Sequence, residues 1–197
     1  IYDLSKENST EINKLLYTPG GAFGSCRYKL KNYEDQRDEY TRLIEVFKAH
    51  NIGYFFYNGG GDSQDTANKI SKITSKLGWA VQCIGIPKTV DNDLPYTDNS
   101  PGFGSAAKYV ATSTLEAGLD VASMAETSTK VFVLEVMGRH AGWLAAASGL
   151  ASQLKGDPPH IIIFPEIPFD KKKFLKEVNV TVKNEGYCVI VTSEGAQ

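Results

Sequence analysis

The sequence is poor in features that define several classes of protein. It has only three cysteines, Cys26, Cys83 and Cys188, which are far apart and lack metal-ligand spacing. An odd number of separated cysteines indicates reduced thiols in a cytosolic protein rather than a disulfide scaffold. No apolar run approaches the roughly 20 residues of a membrane-spanning helix, and the N-terminal residues lack a signal-peptide pattern. We therefore expect a cytoplasmic protein that is neither disulfide-stabilised nor embedded in a membrane.

The charge balance is close to neutral and the composition is that of a globular protein. Lysine and arginine number 21 against 23 aspartates and glutamates, so no basic surface is predicted for nucleic acid or an acidic membrane. Hydrophobic residues make up 42% of the chain, enough for one large domain or two small lobes with a packed core. The chain begins at Ile1 without methionine and stops at Gln197 just after an apolar strand. We therefore expect an internal fragment of a longer protein.

Strand and helix patterns alternate along most of the sequence. Short apolar runs predict strands at 52–57, 79–86, 131–136, 160–164 and 187–192. Apolar residues at helical spacing predict helices at 35–49, after the glycine turn at 59–63, at about 105–125, from about 143 to 151 and at 170–184. Residues 1–31 show little periodicity and include a glycine-rich, loop-like stretch at 18–27. The alternation predicts an α/β fold with mainly parallel, doubly wound sheets.

The stretch PKTVDNDL, residues 87–94, follows one of the predicted buried strands. Asp91 and Asp93 are two residues apart, with Lys88 and Thr89 just before them. In open α/β sheets, the loops that leave the carboxyl ends of the strands form the ligand-binding crevice. Carboxylates in that position can accept protons or bind metal, and the ammonium and hydroxyl groups can face an anion. The alternative is a surface turn, since aspartate and asparagine are common turn formers.

Two glycine-rich stretches are candidate anion sites. The turn at 59–63 leads from a predicted strand into a predicted helix, so its backbone N–H groups lie where the helix dipole is positive. Asp62 places a negative charge in this turn, and the alternative is that Asp62 or Ser63 merely caps the helix. In the loop at 18–27, Arg27 could bind an oxyanion with its planar guanidinium, or the loop could be an ordinary turn with a solvated arginine.

Two further polar clusters follow later strands. MGRHAGW, residues 137–143, contains Arg139, which could bind phosphate or form a surface salt bridge, and His140, which we interpret as structural or capping. The last predicted strand ends in Ser193-Glu194-Gly195. A parallel sheet would gather all these clusters along its carboxyl edge. An anion-binding loop, two carboxylates and several basic groups suit phosphoryl transfer to a hydroxyl, in which positioning and charge neutralisation dominate.

Four motifs in register carry a resemblance to a known family. PKTVDNDL, the GGGDS loop, MGRHAGW and GGAFGSCR together resemble the phosphofructokinases, and more narrowly their pyrophosphate-dependent branch, from about Thr18 to the end of the chain. The resemblance implies two similar lobes, with 1–102 binding the phosphoryl donor and 103–197 binding the sugar phosphate. It also implies a Mg²⁺-dependent, reversible glycolytic transfer from pyrophosphate to the 1-hydroxyl of fructose 6-phosphate, by at least a dimer.

The resemblance implies a role for each motif residue. Asp91 would take the proton from the sugar hydroxyl, Thr89 and Asp93 would line the reaction centre, and Asp93 would lie near the magnesium. Arg27 would contact the transferred phosphate. Fructose 6-phosphate would be bound by residues of three motifs and by Lys130, which would reach the sugar phosphate of a neighbouring subunit: Thr89, Val90, Asp91, Lys130, Met137, Gly138, Arg139 and Glu194.

Donor choice would depend on the glycine turn and on Lys88. The donor would contact Arg27, Gly60, Gly61, Asp62, Ser63 and Lys88. ATP-dependent relatives have glycine in place of both Asp62 and Lys88, so Asp62 would repel the α-phosphate of a nucleotide and Lys88 would bind pyrophosphate. The commonest family loop has a magnesium-binding aspartate where this chain has Gly61. Either pyrophosphate, water and Asp93 bind the metal, or activity is impaired.

Three alternatives stay open from the sequence. An ATP-dependent phosphofructokinase is disfavoured by Asp62 and Lys88. A regulatory subunit that binds sugar phosphate without turnover is suggested by Gly61 and disfavoured by Asp91, Asp93 and Arg139. A lipid or NAD kinase with a glycine-aspartate loop would not explain PKTVDNDL together with MGRHAGW.

Overall fold

The computed structural model describes residues 2–18 and 20–197. Ile1 and Pro19, the latter part of the predicted glycine-rich loop, lie outside the described residues. Near the N-terminus, helix α1 (Ser9–Lys14) begins where the side chain of Asn8 accepts a hydrogen bond from the backbone N–H of Glu11 at 2.9 Å. Periodicity did not predict α1, because six residues span less than two helical turns.

The first half of the chain forms a small parallel sheet with helices packed on it. Helix α2 (Arg37–Ala49), strand β1 (Tyr54–Gly59), helix α3 (Gly61–Thr74) and strand β2 (Gln82–Pro87) follow in order, and β1 pairs with β2 in parallel. Its core consists of residues from both helices and the segments around them: Leu30, Tyr40, Ile44, Phe47, Ile70, Ile73 and Val81. The helix predicted at 35–49 is present as α2, and its residues Tyr40, Ile44 and Phe47 face this core.

The second half forms a three-stranded parallel sheet. Its elements are helix α4 (Phe103–Met124), strand β3 (Val131–Val136), helix α5 (Trp143–Ala147), strand β4 (Ile161–Ile163), helix α6 (Lys171–Glu185) and strand β5 (Cys188–Ser193). The strand order is β3-β5-β4. A 3₁₀ turn at Ser148–Ala151 continues α5, so the predicted alanine-rich helix is present in two parts.

The second sheet has its own core, centred on the middle strand. Cys188, Val189, Ile190 and Val191 of β5 are almost completely buried, as expected for a central parallel strand that is covered on both faces. The predicted α/β architecture with parallel sheets is confirmed. Among the helices within residues 2–18 and 20–197, none is both long enough and apolar enough to cross a bilayer.

Candidate active site

The two strands of the first sheet end side by side, and this brings two predicted donor-binding motifs together. The backbone N–H of Lys88 donates to the carbonyl of Gly59 at 2.9 Å, which extends the β1–β2 ladder by one bond beyond β2. Gly60 is also close, because a Cβ added there would lie 3.6 Å from the carbonyl oxygen of Lys88. The glycine turn and Lys88 therefore share one edge of the sheet.

Among the residues that the structure describes, no side chain caps the N-terminus of α3 at the glycine turn. Gly60 is the N-cap residue, while Asp62 and Ser63 lie within the first turn of the helix. The alternative in which Asp62 or Ser63 caps the helix is therefore wrong. The first backbone N–H groups of a helix carry partial positive charge and suit an anion. Gly59 is required for close packing, because an added Cβ would overlap the Ser63 side chain.

Asp62 is exposed and forms an ion pair with Lys29 at 3.2 Å. A second contact joins the segment after the glycine-rich stretch to α3: the Lys69 ammonium donates to the carbonyl of Leu30 at 3.1 Å. Residues 29 and 30, which follow the GGAFGSCR segment, therefore lie beside α3. Arg27 in this segment is exposed and forms no ion pair with any residue that the structure describes.

The turn after β2 connects the two halves of the molecule. Val90 packs against the second core cluster, which includes Val110, Val136 and Val191. The neighbouring Asp91 backbone N–H donates to the hydroxyl of Thr89 at 3.2 Å. One carboxylate oxygen of Asp91, Oδ1, is buried and has no hydrogen-bond partner among the described residues. A buried carboxylate oxygen without a partner is costly, and such atoms occur at catalytic sites.

Four charged side chains from three motifs lie close enough to Asp91 to affect its pKa. Burial raises the pKa of Asp91, and the negative charges of Asp93 and Glu194 raise it further, while Arg139 and Lys88 lower it. The predicted base, the second aspartate, the MGR arginine and the last-strand glutamate are thus neighbours. A raised pKa, together with an unpaired oxygen, suits a carboxylate that accepts a proton from a substrate.

The loop after β3 is attached tightly to the end of β5. The hydroxyl of Ser193 donates to the carbonyl of Gly138, and the backbone N–H of Gly138 donates to the Glu194 carboxylate at 3.4 Å. Gly138 has φ +125°, which only glycine adopts readily. An added Cβ at Gly195 would overlap the carbonyl oxygen of Arg139. MGR and Ser-Glu-Gly therefore form one unit.

A cavity of about 660 Å³ opens beside this unit, and its lining comes from two segments. These are the turn after β2 and the loop before α5: Asn92, Asp93, Leu94, Pro95, Thr97, Asp98, His140, Ala141 and Trp143. His140 is exposed and lines the cavity rather than the core. The cavity is large enough for a small phosphorylated substrate.

Lys130 lies far from this cluster within its own chain. It precedes β3, whereas Met137 and Arg139 follow the same strand, so roughly 20 Å of strand separates them. Lys130 is exposed, and its ammonium donates to the carbonyl of Ala125. Within the described residues, Lys130 therefore does not reach Met137 and Arg139 of its own chain.

The chain offers few metal ligands of its own. No group of three or more histidine, cysteine, aspartate or glutamate side chains with the geometry of a metal site occurs within residues 2–18 and 20–197. Asp93 is exposed at the cavity, and Gly61 contributes no side chain. These few ligands suit a Mg²⁺ ion that binds together with a phosphate-containing substrate better than one coordinated by protein side chains alone.

Three residues to which the sequence patterns assigned no role also build the site. They are Asn92, Ser193 and Glu166. The backbone N–H of Gly142 donates to the Glu166 carboxylate at 2.7 Å, which attaches the loop before α5 to the end of β4. The sequence signal that could have indicated them is their position, since all three stand near the carboxyl ends of predicted strands.

Comparison with known proteins agrees with this arrangement. The family model described as Phosphofructokinase matches residues 2–197. The chain is 65% identical, over all of its length, to the pyrophosphate–fructose 6-phosphate 1-phosphotransferase of Halomonas elongata, and 60% identical over 99% of its length to that of Methylococcus capsulatus. A crystal structure of the pyrophosphate-dependent phosphofructokinase of Marinobacter aquaeolei, 66% identical, superposes with a TM-score of 0.86, covering 99% of this chain and 48% of that one.

The chain spans about half the length of the curated relatives that it matches, 47% for the protein of Halomonas elongata. The order of the motifs, the parallel sheets and the match over residues 2–197 agree with one another. The chain belongs to the phosphofructokinase family.

Proposed function

We propose that the full-length protein transfers a phosphoryl group from pyrophosphate to the 1-hydroxyl of fructose 6-phosphate, giving fructose 1,6-bisphosphate and phosphate. The observation that carries this proposal is the buried Oδ1 of Asp91, which has no hydrogen-bond partner in the described part of the chain and is near Asp93, Glu194, Arg139 and Lys88. Relatives of 58–65% identity that bear the name of this activity support the choice of reaction.

In the proposed reaction the sugar O1 forms a bond to phosphorus, and the bridging P–O bond of pyrophosphate breaks. Asp91 accepts the proton of the 1-hydroxyl, and phosphate leaves with the electrons of the broken bond. Arg139 and Lys88 are the nearby cations that neutralise charge on the transferred group. Transfer is reversible, because protonated Asp91 can return the proton to the departing sugar oxygen.

The metal and the donor are bound together in this proposal. Mg²⁺ would supply charge neutralisation of pyrophosphate, and Asp93 is the carboxylate of this chain that would help to hold it. Arg27, Lys88 and the backbone N–H groups that follow Gly60 bind the phosphates. Asp62 lies in the first turn of α3, where an anion at the helix N-terminus would meet a like charge.

The sugar phosphate is assigned to the MGR and Ser-Glu-Gly unit. Met137, Gly138 and Arg139 bind it through a loop that is locked to β5, and Glu194 accepts a hydrogen bond from a sugar hydroxyl. Thr89 and Val90 lie beside Asp91 at the same place. This divides the chain into a donor lobe, 1–102, and a sugar-phosphate lobe, 103–197, in keeping with the two separate core clusters.

The proposed assembly is a homo-oligomer in the cytoplasm, without nucleic-acid or membrane partners. The remoteness of Lys130 from the other sugar-phosphate residues supports a site that is completed by a neighbouring subunit. The free state of Cys26, Cys83 and Cys188 supports a reducing compartment.

The test is a donor assay with the full-length protein. We expect fructose 1,6-bisphosphate to form with pyrophosphate and Mg²⁺ and far more slowly with ATP. Faster turnover with ATP would indicate the ATP-dependent alternative, and sugar-phosphate binding without turnover would indicate a regulatory subunit.

A further inference from the structure

Asn92 stands between the two aspartates, yet its side chain is directed into the protein. It is 7% exposed, whereas Asp93 next to it is exposed. Its backbone adopts the left-handed conformation, with φ +55°. Asparagine visits this conformation more readily than most residues. Asp91 on one side of Asn92 is half-buried and Asp93 on the other is exposed, so the two carboxylates lie in different environments.

The Asn92 amide makes two hydrogen bonds to distant backbone. Its Oδ1 accepts from the N–H of Ser100 at 2.7 Å, and its Nδ2 donates to the carbonyl of Asp98 at 3.2 Å. Ser100 is completely buried, and its carbonyl accepts from the N–H of Phe103, the first residue of α4, at 3.1 Å. Asn92 thus fastens the turn after β2 to the start of α4.

We propose that Asn92 is the positioning residue that fixes Asp91 for proton transfer; this inference rests on the proposed function. Asn92 does not itself contact the reacting atoms. By closing residues 92–100 into a loop, it keeps Asp91 half-buried and Asp93 at the cavity. Both amide atoms are needed, because each one fastens a different backbone group.

Three substitutions separate the contributions of backbone and side chain. Asn92→Gly keeps the positive φ and removes both bonds. Asn92→Asp keeps the acceptor, loses the Nδ2 donor and adds a negative charge beside Asp91. The matched control is Asn51→Gly, because Asn51 also has a positive φ, +52°, but is exposed at the end of α2, away from the site.

The first experiment measures kcat, both KM values and Tm in the full-length protein. We expect Asn92→Gly to lower kcat about tenfold or more, with smaller changes in KM, and Asn92→Asp to lower it similarly. Asn51→Gly should leave kcat unchanged. Normal kcat in Asn92→Gly, or a loss that only follows the unfolded fraction, would overturn the proposal.

A second readout reports on Asp91 without turnover. Amide hydrogen exchange of the substrate-free protein follows the N–H of Ser100, which donates to the Asn92 side chain, and the N–H of Asp91, which donates to Thr89. Asn92→Gly should speed exchange at both positions, and Asn51→Gly should not. Unchanged exchange at Asp91 would overturn the role of Asn92. An inactive wild type in which Asn92→Gly speeds exchange at Asp91 would overturn the proposed function while supporting the positioning role.

Discussion

The backbone N–H of Gly142 donates a hydrogen bond of 2.7 Å to the carboxylate of Glu166, which lies 24 residues further along the chain. Gly142 has no room for a side chain, because an added Cβ would lie 2.6 Å from the ring of Phe164 and 2.9 Å from Glu166 Oε2. The end of β4 therefore holds the loop that carries Arg139. A hydrogen bond to a charged acceptor is among the stronger kinds in proteins.

Removing this carboxylate should loosen the sugar-phosphate loop. Glu166→Ala is expected to raise the KM for fructose 6-phosphate about fivefold, corresponding to a net bond of about 1 kcal/mol. Glu166→Gln keeps an acceptor oxygen and should recover most of the loss. Glu177→Ala is the control, since Glu177 is exposed on α6 and is 3.9 Å from Lys173. Steady-state kinetics with both substrates checks this prediction. An equal change in the KM for pyrophosphate in Glu166→Ala would contradict it.

Gly195 should tolerate no side chain, because an added Cβ would overlap the carbonyl of Arg139. We expect Gly195→Ala to displace the MGR loop and to weaken fructose 6-phosphate binding about tenfold or more. Gly104→Ala is the matched control, since no neighbouring atom lies within 4 Å of its added Cβ and alanine favours the helix. Calorimetric titration with fructose 6-phosphate checks both variants. Equal affinity for the two would show that the Gly195–Arg139 contact does not shape the site.

Asp91→Asn should lower activity without lowering the stability of the fold at neutral pH. The variant keeps the size of the side chain and loses the base, so kcat should fall by about 10²-fold or more. Burial raises the pKa of folded Asp91, so its contribution to stability is present in acid and is lost as pH rises through the folded pKa. At pH 7 the charged carboxylate therefore opposes folding.

The same variant should consequently have a Tm at pH 7 at least as high as that of the wild type, with the gain shrinking as pH falls. Thermal unfolding between acid and neutral pH checks this. Near-normal turnover would disprove the role of Asp91 as base, and a Tm gain that grew in acid would disprove the raised pKa.

Apolar patterns located the strands because burial dominates there, and β3 has the predicted bounds. Strand ends were less accurate. β2 begins at Gln82, where it pairs with Tyr54, and not at 79. Trp79 was included by its hydrophobicity, but its ring packs on the first core cluster and its indole N–H donates to the carbonyl of Ile52 at 2.8 Å. The start of a strand is therefore decided by the residues available for pairing on the neighbouring strand rather than by local composition.

The proximity of the charged site residues was predictable because their motifs follow strands and a parallel sheet gathers such positions, whereas their roles stay predictions. No role was predicted for Asn92, Ser193 or Glu166. The side chain of each one bonds to a backbone atom of another segment. Every residue type has such backbone atoms, so the sequence does not show which one is the partner. The exposed ion pair between Asp62 and Lys29 was missed for a related reason, since long surface side chains pair by local geometry.

Magnesium should depend on pyrophosphate for binding. Because Gly61 contributes no carboxylate, calorimetry of the full-length protein without pyrophosphate should detect only weak Mg²⁺ binding. An added Cβ at Gly61 has no neighbouring atom within 4 Å, so Gly61→Asp should fit and strengthen that binding. Gly61→Asn, of equal size and without charge, should not. Tight Mg²⁺ binding by the substrate-free wild type would contradict this account.

Donor choice is expected to rest on Asp62 and Lys88. Two unit charges about 4 Å apart at an effective dielectric near 20 interact by roughly 4 kcal/mol. The exposure of Asp62 and its ion pair with Lys29 reduce this interaction energy. Half of it would still favour pyrophosphate over ATP as donor by more than tenfold. Asp62→Gly should therefore permit measurable ATP use and weaken pyrophosphate turnover, and adding Lys88→Gly should improve ATP use further.

The most direct measurement is kcat/KM for pyrophosphate and for ATP in the full-length wild type, in each single variant and in the double variant. The account predicts a wild type that strongly prefers pyrophosphate and a ratio that moves toward ATP in Asp62→Gly and further in the double variant. A wild type that prefers ATP, or a donor ratio that Asp62→Gly leaves unmoved, would contradict it.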